Sequence, residues 1–155
     1  MGRRDSDKLL IQEMAGAGVI QELLSHRARA LGIWIVGGTL PMATDDPGRA
    51  RNCSLAYAPS GQCVARYDKI HLFRYSQGLE NYDETRVLEP GAQHVRFELA
   101  STDGHVYTIG MSISYDLHFP YIDCPLTSHL ILLPSALPPT PPPTHGTETP
   151  RLLPH

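Results

Sequence analysis

The sequence predicts a mixed α/β layer structure, and three observations carry that prediction. Residues Val19 to Leu31 have helical apolar spacing and lead straight into a short apolar run, "IWIVGGTLP". Two stretches of alternating apolar and polar residues then fold back about glycine-containing turns, as hairpins do. A final apolar run, "HLILLPSA", follows a short helical segment. The order is helix, strand, hairpin, loop, hairpin, helix, strand. Hairpins pair neighbours antiparallel, which argues against a purely parallel doubly wound sheet.

Each element has its own reason. Residues 1–18 are polar and Gly-rich, without a clear period. In "VIQELLSHRARAL" the residues Val19, Ile20, Leu23, Leu24 and Leu31 share one side of a helix, and Gly32 ends it. The run that follows is short and apolar enough for a buried strand. "NCSLAYAPSGQCVARYDKIHLF" reads as a hairpin turning at "PSGQ", where Gly61 can take a positive φ. "YSQGLENYDETRVLEPG" reads as a polar loop. "HVRFELASTDGHVYTIGMSIS" is a second hairpin turning at "TDGH", and a short helical segment is expected near Phe119 to Ser128. Residues 138–155 hold 7 of the 14 prolines and show no apolar period. A disordered or polyproline-like tail over 137–155 is expected there, with "PPTPPP" as a conceivable ligand for an aromatic groove.

Composition narrows the class of function. The chain has 155 residues, 41% hydrophobic and 19% charged, which are globular values and sufficient for one domain with a core. A net charge of -3 with scattered Lys and Arg gives no nucleic-acid footprint. The apolar runs are too short to cross a bilayer, so no membrane partner is expected. Three cysteines, Cys53, Cys63 and Cys124, form an odd set without metal-ligand spacing; all three read as packing residues in a reducing compartment. No metal or cofactor is expected. "MGRRDS" formally fits an N-myristoylation pattern at Gly2, but no apolar region follows, so a cytoplasmic location is the expectation.

The chemistry concentrates in three segments. "RYDKIHLF" puts Lys69 at a strand end; "NYDETRVLEPG" puts Asp83 and Glu84 in a loop; "GMSISYDLHFP" puts Ser114 where a buried strand runs into a polar turn. Taken singly, each is ordinary: a solvated lysine, surface carboxylates, a turn serine. In combination they resemble the nitrilase superfamily of carbon–nitrogen hydrolases, especially its small Nit-type amidases. The segments Gly38 to Pro41, Asn52 to Gly61, Tyr67 to Phe73, Glu84 to Gly91, Gly110 to Pro120 and Leu130 to Ala136 answer that family's motifs in the same order. The resemblance therefore spans nearly all of residues 1–136 and implies a partial α-β-β-α sandwich with mixed sheets and hairpins.

It also implies a chemistry. In the family a cysteine thiolate attacks a nitrile or amide carbon, ammonia or an amine leaves, and water clears the thioester. A glutamate serves as base, and a lysine donates to the oxyanion. By resemblance Lys69 matches the lysine, Glu84 the second glutamate in the loop, and Ser114 stands at the cysteine's place. The implied substrate is a small-molecule amide or nitrile, and family members are homo-oligomers. The family's base lies upstream of the segment that "MGRRDSDKL" resembles, so the base and a first βα unit are expected to be missing from the chain as written. Past Ala136 the resemblance stops abruptly at the tail. Such a truncated domain would have unpaired sheet edges and be prone to aggregate.

A serine hydroxyl is a much weaker nucleophile than a thiol and needs an adjacent base. His118 is the neighbour one would propose, although the family carries arginine there. Three readings follow: a carbon–nitrogen hydrolase by descent, inactive as this chain; a non-catalytic protein that binds a ligand or a homologous subunit; and a proline-motif adaptor resting on the tail alone.

Overall fold

A computed structural model describes residues 7–77, 80–119 and 128–135. The interior of the helix expected near Phe119 to Ser128, with Cys124 in it, and the proline-rich tail lie outside those residues.

The N-terminal stretch is less featureless than its composition implies. A single helical turn, α1 (Asp7–Leu10), precedes α2 (Val19–Leu31). Between them Glu13 makes two kinds of bond. Its backbone joins the edge of β1 (Ile35–Ala43), with Glu13 N donating to Pro41 O at 3.0 Å and Ala43 N donating to Glu13 O at 2.9 Å. Its carboxylate accepts from the amides of Ile20 (2.6 Å) and Gln21 (3.2 Å), satisfying donors that the first turn of a helix leaves unpaired. At the other end Gly32 takes a left-handed φ of 63° and closes the helix.

Helix α2 does not bury the stripe that its spacing marks. Val19, Ile20, Leu23 and Leu31 are exposed, while Gln21 and Ala28 are buried. Only Leu24, at the border of the two faces, packs on the cluster of Leu40, Met42, Cys53, Leu55 and Tyr57 beneath the helix. The reason is close approach. Ser25 Oγ donates to Gly61 O at 2.6 Å, and a Cβ on Gly37 would come within 2.5 Å of Leu24 Cδ1. A contact this tight admits small side chains, and a row of leucines would not fit.

Beneath α2 lies an antiparallel sheet of β1, β2 (Ala50–Tyr57) and β3 (Cys63–Asp68), in that order. The β2–β3 turn uses Gly61 at φ 86°, as its sequence requires. β2 is buried on both faces: Cys53, Leu55 and Tyr57 face the helix, and Ala56 faces inward. Next comes a small hairpin of β4 (Arg74–Gln77) and β5 (Glu80–Asp83), then a 3-10 turn over Glu84–Arg86. This corrects the expectation of a polar loop. Tyr75 stands opposite Tyr82, and Phe73 packs against both rings at 6.3 and 5.8 Å. Isolated aromatics among polar residues give no period, so cross-strand pairing alone identifies the hairpin.

The second three-stranded sheet contains β6 (Val95–Ala100), β7 (Val106–Met111) and β8 (Leu130–Leu132). β6 runs antiparallel and β8 parallel to β7, so the sheet is mixed. Its inner residues Phe97, Ile109, Met111 and Ile113 pack on Ala56, Ala65 and Tyr67 of the first sheet. The result is helix on sheet on sheet, three layers of an α-β-β-α sandwich. A second outer helical layer is not among the described residues. No helix among them is long and apolar enough to cross a membrane.

Candidate active site

Lys69 directly follows β3, and its backbone is fixed on both sides. Its amide donates to Asn52 O at 2.9 Å, and its carbonyl accepts from Gly91 N at 2.8 Å. A Cβ at position 91 would drive into the Asp68 carbonyl, so the glycine of "LEPG" is what lets the loop lie this close. The Lys69 side chain is 3% exposed and its Nζ lies 2.6 Å from Glu84 Oε2. The same Oε2 accepts from the Phe73 amide at 2.8 Å, and Glu84 N donates to Phe73 O at 3.0 Å. Asp83 caps the turn beneath it by accepting from Thr85 N (3.0 Å) and Thr85 Oγ1 (2.6 Å). Lys8 Nζ approaches the other carboxylate oxygen of Glu84 at 3.8 Å.

Ser114 stands where β7 ends and a 3-10 turn over Ser114–His118 begins. Its φ is +47°, and it is the one non-glycine residue with positive φ among those described. Such a conformation costs on the order of 1–3 kcal/mol and persists only where the surroundings impose it. The surroundings are the parallel ladder to β8, which continues past both strands: Ser112 N donates to Leu132 O and Ser114 N to Pro134 O, each at 3.1 Å. A sharp, strained strand-to-turn corner is how α/β enzymes hold a nucleophile clear of the sheet.

Lys69, Glu84 and Ser114 line one partly open cavity of about 500 Å³. Asn52 and Tyr82 contribute to its wall, and Asp7 and Lys8 of α1 also line it. No group of His, Cys, Asp and Glu among the described residues has the arrangement of a metal site.

The other residues singled out by sequence lie elsewhere. His118 is exposed, with its ring 5.2 Å from Tyr115. Cys53 is buried, as a packing residue should be, and its thiol donates to Asp68 Oδ1 at 2.6 Å. Burial, then the neighbouring Asp68 carboxylate, push that thiol well above its ordinary pKa. Cys63, in contrast, is exposed: it opens β3 at the outer end of the hairpin, so it is not a core residue. The residue that sequence reasoning missed is Asp116. It is wholly buried and accepts hydrogen bonds from Tyr67, His71 and Ile113. An acid five residues after the end of β7 suits a turn cap, but two of these partners are 45 and 49 residues away.

Residues 2–128 match the sequence profile of the carbon-nitrogen hydrolase family. The chain belongs to that family. Among curated carbon-nitrogen hydrolases, the chain is 34% identical over 111 residues to a deaminated glutathione amidase of Yersinia enterocolitica, covering 70% of this chain and 37% of that protein. It is 31% identical over 103 residues to omega-amidase NIT2 of Homo sapiens, covering 66% and 35%. The chain thus spans little more than a third of the length of these relatives. Among solved structures it is similar to Nit3 of Saccharomyces cerevisiae, a member of the nitrilase superfamily, with a TM-score of 0.67 and 21% identity over 86% of this chain and 46% of that one. The three observed layers accordingly form part of a nitrilase fold.

Proposed function

We propose that the cavity is the substrate site of a carbon–nitrogen hydrolase for small-molecule amides, and that the chain as written does not turn such substrates over. In this reading Ser114 occupies the nucleophile's place, Lys69 is the cation for the oxyanion, and Glu84 holds Lys69. The observation that carries it is the convergence of a buried Lys69–Glu84 pair and the strained Ser114 corner on one cavity. Both curated relatives are named as amidases, which favours amides over nitriles.

The chemistry follows from the positions. A nucleophile at 114 adds to the amide carbon, the carbonyl oxygen takes up the charge, and the fixed, buried Lys69 ammonium stabilises it. Collapse of the intermediate breaks the C–N bond, the nitrogen takes up a proton and leaves as ammonia or an amine, and water then cleaves the acyl group from position 114 to give the acid. Serine fails at the first step, because a hydroxyl needs a base to take its proton. Glu84 Oε2 already accepts from Lys69 and from the Phe73 amide, which leaves it a poor proton acceptor. His118 is turned to solvent.

A non-catalytic role as a ligand-binding protein is the second reading, favoured by the strained corner and buried pair standing intact around a serine. Ammonia release from short ω-amides tests the proposal. No release above the buffer rate is expected from the unmodified chain. Robust turnover would overturn the assignment of Ser114 as a disabled nucleophile position.

A further inference from the structure

We infer that Asp116 is the positioning residue that sets Ser114 against Lys69, an inference that rests on the reading of those two residues given above. Its carboxylate is wholly buried and holds four contacts. Oδ2 accepts from the Tyr67 hydroxyl at 2.8 Å and from the Ile113 amide at 3.1 Å. Oδ1 accepts from the His71 amide at 2.7 Å and lies 2.9 Å from His71 Nδ1. In that last contact Nδ1 is the donor when the carboxylate is ionised, because an ionised carboxylate only accepts.

The places of these partners give the arrangement its meaning. Tyr67 stands two residues before Lys69 and His71 two residues after it. Ile113 immediately precedes Ser114. One carboxylate therefore ties both flanks of the lysine, at the end of β3, to the first residue of the serine corner, at the end of β7. Those strands belong to different sheets, which face each other across the apolar cluster of Ala56, Ala65, Tyr67, Phe97, Ile109 and Met111. Burying an ionised carboxylate is costly unless its lone pairs are met, and here each oxygen has two partners. Asparagine at 116 would turn an amide NH₂ toward two donors, so two of the four contacts would be lost with almost no change of volume.

The test uses Ser114→Cys as a reporter in the full chain. Its labelling rate by iodoacetamide near neutral pH is read by mass spectrometry of the peptide that contains position 114, so the other cysteines do not interfere. A nearby cation lowers a thiol pKa by one unit or more, and each unit is about tenfold in thiolate. S114C is therefore expected to label about tenfold faster than S114C combined with Lys69→Met. Adding Asp116→Asn to S114C is expected to remove most of that advantage while the protein stays folded by circular dichroism. A merely structural Asp116 would lower the melting midpoint and leave the labelling of the folded protein unchanged. S114C labelling no faster than its Lys69→Met partner overturns both the site reading and this inference. A Lys69-dependent rate that survives Asp116→Asn overturns the positioning role alone. If Asp116→Asn does not fold, Tyr67→Phe decides, because it removes one donor and keeps the ring: about a threefold fall supports the role, and an unchanged rate overturns it.

Discussion

Cys53 shows how a single side chain responds to its surroundings. Burial first, and the Asp68 carboxylate second, raise its pKa in the folded protein. A raised folded-state pKa means that the native state holds this proton more tightly than the unfolded chain does. Its contribution to stability is therefore complete below the ordinary thiol pKa, about 8.5, and lost progressively as pH rises above it. The urea midpoint is expected to fall with alkaline pH in the parent, and to fall less steeply in Cys53→Ser. Parallel curves for the two proteins would contradict this. Lys69, Glu84 and Ser114, the proposed site residues, could be singled out in the sequence because each lies in a local motif whose order could be read, and the three line one cavity. Asp116 could not, since its importance depends on Tyr67 and His71, which only the stacking of two sheets brings to it. Cys63 was misread because residue type indicates burial poorly at the outer end of a hairpin.

Helix α2 carries the corresponding lesson for elements. Its limits, Val19 to Leu31, agree with the sequence reading, and both glycine-turned hairpins form as expected. What periodicity could not tell is which face meets the sheet. The buried face consists of Gln21, Ser25 and Ala28 with Leu24 at its border, and the more apolar stripe points outward. Two substitutions separate these faces. Ala28→Leu adds bulk where the helix touches the sheet and is expected to cost about 1–3 kcal/mol, as overpacking does. Leu23→Lys, on the exposed stripe, is expected to change stability by no more than about 0.5 kcal/mol. Chemical denaturation of both variants checks this, and a larger loss from Leu23→Lys than from Ala28→Leu would reverse the assignment of faces. The β4–β5 hairpin escaped notice for a different reason: Tyr75 and Tyr82 pair across strands but sit in polar surroundings that mimic a loop.

At the scale of the molecule, the sequence led to the correct class, a mixed layered sandwich, because the hairpins argued against a purely parallel sheet and the motif order matched a known family. The exposed apolar residues Leu10, Val19, Leu31, Leu117 and Leu130 were not anticipated one by one, since exposure depends on which layers cover which faces. The sandwich matters for the proposed site because it is the device that brings the end of β3 beside the end of β7. The pKa of the thiol in Ser114→Cys measures that juxtaposition directly, by the pH dependence of iodoacetamide labelling of the peptide that contains position 114, with and without Lys69→Met. The account predicts a pKa at least about one unit below the ordinary 8.5, restored to that value when the lysine is removed. A pKa of about 8.5 that is indifferent to Lys69 would contradict it.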